Sequence, residues 1–282
     1  MKINLIRFNL IFFAFFLSVS FLIGQESASS SKGYLYASWG YNRNFYTSSD
    51  ISFISDQYNF TLRDVKASDR PQAFSTDNYF NPKNLSVPQY SFRFGYYLTD
   101  NIHISAGMDH MKYVVNQNQP VLIDGFINSK TNTQYNGEYN SQWIEIKKGF
   151  LEFEHTNGLN LVTIQADYAF TLAQFLNNKF RLRYNVGVGG IWVGTKSDVR
   201  ILDEGIDNDH HLAGYSLCIQ TGPRLEYNKL VYLDIQSRGG YMYLNDIFIE
   251  NEMAPKRASQ AFGFLNYSAS IGVMIPIKKM FK

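Results

Sequence analysis

Chemistry in this chain would have to come from few residues. His110 follows Asp109 on one alternating stretch, and His210 and His211 precede Ser216 on another. A serine nucleophile, a histidine base and a polar group that orients the base are the parts of an acyl-transfer or hydrolytic site. Neighbouring residues of a strand point to opposite faces, so Asp109 cannot orient His110. No motif surrounds His110 or Ser216. Both histidine groups read as interfacial side chains with a polar tip, and no catalytic residue is assigned. The stretch "DVRILDEGIDNDHH" offers hard oxygen donors at Asp203, Glu204, Asp207 and Asp209 and nitrogen donors at His210 and His211. These are groups a divalent cation accepts, but the spacing matches neither a calcium loop nor a zinc motif. It reads as a solvated acidic loop, with no metal expected. "GVGG" (187–190) precedes no helix, so no dinucleotide site and no cofactor are expected. The single Cys218 excludes an internal disulfide framework.

The remaining charged candidates lie on alternating segments. In "KFRLRYNVGVGGIWVG", Phe180, Leu182, Tyr184, Val186, Val188 and Trp192 share one side of an extended chain, and Arg181 and Arg183 share the other with Asn185, Gly187 and Gly189. Asp167, Arg224, Glu226 and Asp234 occupy the polar rows of neighbouring segments. The same dyad runs through 35–42, 90–98, 102–109, 162–170, 213–220, 231–238 and 265–275, which with 180–192 makes eight segments. Each has about the 9–11 residues with which a tilted strand crosses a bilayer. The connections alternate long and short: 47–87, 99–101, 114–157, 171–178, 194–211, 227–229 and 244–260. A soluble sandwich has no reason to gather its long loops at one end, whereas a membrane barrel does.

The first 27 residues, MKINLIRFNLIFFAFFLSVSFLIGQES, place Lys2 and Arg7 ahead of an apolar run that ends at Gly24. This is the pattern of a secretory signal peptide, with cleavage expected near Gly24. Lys plus Arg number 26 and Asp plus Glu 24, so loss of Lys2 and Arg7 leaves a formally neutral chain. It carries no general basic field for nucleic acid. After the leader no segment approaches 18 uninterrupted apolar residues, so a helical span is not available.

The dyad repeat and loop alternation over 34–277 resemble the eight-stranded outer-membrane β-barrels, the OmpA/OmpW-like architectural group. The resemblance implies an all-β, antiparallel, up-and-down transmembrane barrel in the outer membrane of a Gram-negative bacterium. It would have short periplasmic turns and long extracellular loops. The expected organisation is a leader at 1–24, a short periplasmic segment at 25–33, the barrel at 34–277 and a periplasmic tail at 278–282. A ten-stranded variant is the alternative, because "QWIEIKKGFLEFEH" (142–155) also alternates; it is read as a hairpin standing above the membrane. The chain departs from the common ending in a terminal aromatic residue, finishing Met280-Phe281-Lys282.

An eight-stranded barrel is about wide enough for side chains to fill it. Arg181, Arg183 and Arg224 are therefore expected to form an ionic plug with Asp167, Glu226 and Asp234, and Asp167 is expected at the level of Arg183. The first long loop is aromatic-rich where disordered chains are aromatic-poor, so it is expected to fold over the mouth. Phe53, Tyr58, Phe60, Arg63, Arg70, Phe74, Tyr79 and Phe80 are its candidate recognition residues. The reading is a non-enzymatic envelope protein, in contact with outer-membrane lipid and meeting a protein or envelope partner through its loops. The alternative is a conduit for small hydrophobic molecules like that of the OmpW group, and after it a lipid A-modifying enzyme. An open lateral gap, or an apolar lumen above the ionic plug, would favour the conduit.

Overall fold

The computed structural model describes residues 30–277 except 82, 85–86, 129, 131–132 and 251–255. The leader at 1–24, the start of the 25–33 segment and the tail at 278–282 lie outside the described residues. In chain order the strands are β1 (Tyr34–Tyr46), β2 (Ser49–Ile54), β3 (Tyr58–Val65), β4 (Ala67–Ser68), β5 (Tyr90–Tyr97), β6 (Ile102–Val115), β7 (Gln119–Ile127), β8 (Gly137–Ile146), β9 (Leu151–Phe175), β10 (Phe180–Ile201), β11 (Glu204–Asp207), β12 (His211–Tyr227), β13 (Val231–Phe248) and β14 (Arg257–Pro276). One short helix, α1 (Thr76–Phe80), lies between β4 and β5.

Eight of these strands form an antiparallel ring in the order β1-β5-β6-β9-β10-β12-β13-β14, closed by β1 against β14 from Tyr34↔Pro276 to Tyr46↔Phe264. Closure satisfies every strand edge in a medium that offers no water to an unpaired amide. The periplasmic turns are tight: between β12 and β13, Asn228 and Lys229 both adopt positive φ at the centre of a turn closed by the Leu230 N–H donating to Tyr227 O at 3.0 Å, the conformation that follows strand twist.

The strands outrun the membrane. β9 has 25 residues and β10 has 22, about twice what a bilayer needs. Above the point where β1 ends, β14 pairs with β2 instead, from Arg257↔Ile54 to Gln260↔Ile51. The sheet then continues β2-β3-β7-β8. The ring is thus eight strands wide in the membrane and opens above it into a broader sheet. The 142–155 stretch is not one hairpin: residues 142–146 belong to β8 and pair with β7, whereas 151–154 begin β9 and pair with β10. Local alternation marks both pieces as strand but carries no information about partners.

Candidate functional site

The bore is filled from the periplasmic end upward by charge. Arg181 Nε donates to Glu226 Oε2 at 2.7 Å and Nη2 to Ser31 Oγ at 2.6 Å, so the chain just before β1 closes the floor. Arg183 Nη1 lies 3.8 Å from Glu226 Oε1, and its Nη2 donates to the carbonyls of Asp100 (2.6 Å) and Ala169 (2.9 Å). Arg224 pairs with Asp234 at 2.7 Å, with its guanidinium 4.2 Å from the centre of the Tyr232 ring. Asp167 stands apart from the arginines. Its carboxylate accepts from Gln165 (3.0 Å) and Gln220, and His103 Nδ1 lies 3.6 Å away. The register explains this: Asp167 faces Gly187, and Arg183 faces Thr171, so the two charges are at different heights.

A second ionic layer lies above the first. Arg93 on β5 and Arg238 on β13 both donate to Asp109 Oδ2, and Ser91 Oγ donates to its other oxygen at 2.7 Å. Arg238 also donates to Gln165 (3.2 Å) and Gln220 (3.1 Å). The cavity left at this height is about 10 Å³, lined by Tyr36, Arg93, Asp109 and Arg238 among others, about enough for a single water. All three charged residues lie on polar rows of the sequence alternation, so parity alone assigns them to the bore.

Above Arg238 the filling turns apolar. Ile191, Met242, Phe262 and Phe264 start a buried core that runs upward through Met111, Phe153, Phe53, Phe60, Leu62, Ile123 and Phe150. One buried polar chain crosses it. Tyr113 Oη and Ser49 Oγ are 3.2 Å apart, Ser49 Oγ donates to Gln260 Oε1 (3.3 Å), Gln260 Nε2 donates to His155 Nε2 (3.2 Å), and His155 Nδ1 lies 2.7 Å from Ser197 Oγ. Burial, with His211 nearby, pushes the His155 imidazole down to about 3, so it is neutral at physiological pH.

The outer wall is the inverse of the bore. Phe94, Ile104, Ile164, Val188, Leu217, Ile219, Leu233, Ile235 and Ile271 are all exposed on the ring. Aromatic residues border this belt at both rims, with Tyr168, Phe170, Phe175 and Phe180 below and Trp192, Tyr215, Tyr241 and Tyr243 above. A closed ring that is apolar outside and ionic inside is built for hydrocarbon. The chain folds as an eight-stranded transmembrane β-barrel.

No protein-family model and no curated protein matches the sequence of this barrel. Among solved structures it is similar to the outer membrane protein AlkL in lipid bilayers, with TM-score 0.38, 10% identity, and 90% of this chain and 95% of that chain covered. OprG from Pseudomonas aeruginosa gives TM-score 0.41, 9% identity, and 87% and 97% coverage. Ail, the attachment invasion locus protein of Yersinia pestis, gives 0.34, 10%, and 86% and 99%.

The barrel divides the first-loop candidates into two groups. Phe53, Tyr58, Phe60 and Tyr79 are buried and cannot meet a partner. Phe53 and Phe60 stack at 5.0 Å inside the core. Phe74 ahead of α1 and Phe80 at its end are exposed. Arg63 bridges Asp50 (2.7 Å) and Asp124 (3.1 Å) on the outer face, and Arg70 pairs with Glu154 at 2.6 Å. The sequence signal for the β2–β3 hairpin was present: Ile51 and Phe53, then Tyr58, Phe60 and Leu62, alternate with polar residues around Asp56-Gln57.

The outer face of the extracellular sheet carries residues that loop texture did not point to. Trp143 is 73% exposed, opposite Leu122, and Phe126 and Ile54 are exposed nearby. Among the described residues β8 pairs only with β7, so its second edge is open. The catalytic candidates are not assembled. His110 Nδ1 lies 2.8 Å from Asn160 Oδ1, and its ring stacks on Tyr90, whose neighbour Ser91 points inward. Ser216 faces the bore and donates to Tyr241 O at 2.8 Å. In the acidic loop, Asp207 pairs with Lys196 (3.0 Å) and Glu204 with Lys256 (3.5 Å). His211 stacks on Phe248 at 3.6 Å. Among the described residues no group of three acidic, histidine or cysteine side chains could hold a metal ion.

Proposed function

We propose that this barrel is a non-enzymatic surface protein that recognises a macromolecular partner through its extracellular sheet. The observation that carries the reading is the outer face of β3, β7 and β8. There exposed Trp143 and Phe126, with half-buried Leu122 opposite Trp143, stand beside Arg63, Asp124 and Glu138, next to a strand edge that is unpaired among the described residues. A half-apolar face with an aromatic anchor and charged surroundings is the composition of a recognition patch. An exposed edge adds main-chain donors and acceptors for a partner strand. Ser141, with φ 49°, interrupts that edge, which limits uncontrolled pairing along it.

A conduit asks for an open path above the ion pairs, and Met242, Phe262 and Phe264 occupy that space. The test is site-specific photo-crosslinking on intact cells, with the crosslinker placed at Trp143, at Phe126 and, as a buried control, at Ile123. The reading expects a discrete adduct from Trp143 and Phe126 and none from Ile123. Adducts absent from both outer-face positions, in cells where the barrel is assembled, would refute it.

A further inference from the structure

Among the described residues, two cations at the upper rim of the apolar belt touch no carboxylate. Arg43 leaves the outer side of β1 between Tyr41 and Phe45, since Asn42 and Asn44 are buried within the bore. Its guanidinium donates to Asn42 O (2.7 Å) and to Tyr79 Oη (2.9 Å), two neutral oxygens. Lys112 leaves the outer side of β6 between fully buried Met111 and Tyr113. Among the described residues neither makes an ion pair. The nearby acids act on the cations at a distance but direct their hydrogen bonds to other groups. Asp69 accepts from the Asn44 N–H (3.0 Å) and from Gln89 (2.6 Å), and Glu154 accepts from Arg70 (2.6 Å) and Thr156 (2.9 Å). The Lys112 amine is held below its ordinary value by burial first, then by Arg70 and Arg43 against the opposing pull of Asp69. The cations are therefore near enough to repel one another.

Their position says what would neutralise them. β5 begins only at Tyr90 and β4 meets β6 only at Val114 and Val115, so at the height of Arg43 and Lys112 no strand pairs with the facing edges of β1 and β6. The chain carrying α1 lies against the outside of that wall: Tyr41 donates to Tyr79 O at 2.6 Å, and the two rings meet at 4.8 Å. Phe74, Phe80 and Phe45 are 74%, 70% and 62% exposed around it. Aromatic rings with cations at the water-facing rim of a lipid belt form an interfacial anchor, and basic clusters beside a membrane surface select anionic headgroups. We infer that Arg43 and Lys112, with Arg70 beside them, form a binding site for the phosphate groups of an outer-leaflet glycolipid whose acyl chains lie along Phe45 and Phe80. An arginine fork and a lysine together match a phosphate better than either does alone.

The test uses the full barrel purified in mild detergent, with bisphosphorylated lipid A as the probe and the same lipid stripped of its phosphates as the comparison. Bound lipid is counted by native mass spectrometry. Wild type is expected to retain one lipid A, and R43Q/K112Q to lose at least tenfold in occupancy. R200Q, a cation already paired with Asp198 on β10, is expected to match wild type. Heat-modifiable migration checks that each variant is assembled; if the double variant does not assemble, the two single variants and the phosphate comparison on wild type decide. Equal retention of the dephosphorylated lipid would overturn the site. So would equal retention by the assembled variants, or displacement of lipid A by millimolar inorganic phosphate.

Discussion

Arg238 on β13 reaches across the full bore to the carboxylate of Asp109 on β6, the strand diametrically opposite in the ring. A contact between facing walls, joined by Arg93 from β5, is a crossbar as much as an ion pair. It leaves no continuous space at that height, and it holds two cations whose burial is tolerable only while Asp109 is ionised and between them.

Asp109→Ala should therefore be among the most damaging single changes in the bore. It strands Arg93 and Arg238 without a counter-charge, for an expected loss of about 3–5 kcal/mol. Asp198→Ala removes an exposed pair with Arg200 and should cost at most about 1 kcal/mol. Urea midpoints of the two variants refolded in the same detergent provide the comparison; equal midpoints would deny the crossbar its role.

A second prediction concerns the layer below. A methyl on Gly95 would lie 2.2 Å from Cζ of Tyr36, because the ring rests directly on that strand, with its hydroxyl 2.7 Å from His103. Gly95→Ala should destabilise the barrel by about 1–3 kcal/mol through overpacking. Much of that loss should be recovered in Gly95→Ala/Tyr36→Leu, where the tyrosine no longer fills the notch. A double-mutant cycle without coupling would show that the ring can move aside freely.

Much of the membrane ring was legible in the sequence. The dyad separates Phe180, Leu182 and Val186 from Arg181 and Arg183 because lipid and bore sort side chains by parity, and parity is local information. Partner choice is not local. Residues 151–155 alternate like those of 142–146, yet one piece extends β9 while the other closes a hairpin with β7. Asp167 was expected beside Arg183 from loop length alone; the actual register places it opposite Gly187, where amides hold it. The first-loop aromatics carry the period of a strand pair, although their composition resembles that of a surface loop. The core that buries Phe53 and Phe60 is made from β6, β9, β10 and β14, far away in sequence.

That distant core yields a third prediction. Phe53→Ser places a hydroxyl in the extracellular core and should open β2 and β3 to protease while the membrane ring stays heat-modifiable. Trp143→Ser, on the exposed face, should leave protease resistance unchanged. Loss of heat-modifiability in Phe53→Ser would mean that ring and extracellular sheet fold as one unit.

The His155 chain makes the extracellular core sensitive to acid. Its imidazole is held at about 3 in the folded protein, below the usual 6.5 of an unfolded histidine. Between these values the unfolded state binds the extra proton, so stability is fully present above about pH 6.5 and is lost as pH falls toward 3. Hydrogen exchange of β2, β3 and β7 should accelerate from pH 7 to pH 4.5, after correction for intrinsic rates. His155→Phe should flatten that dependence. An unchanged slope in the variant would assign the effect to other groups.

A bore closed by ion pairs and packed side chains leaves function to the extracellular sheet, and solute flux through proteoliposomes measures that closure. Wild-type barrel should pass potassium ions and a small apolar solute no faster than protein-free liposomes. Arg93→Ala/Asp109→Ala/Arg238→Ala, with the crossbar removed, serves as the variant in which a leak can appear. Wild-type flux clearly above the protein-free level, for either solute, would contradict the account and return the bore to the centre of this protein's function.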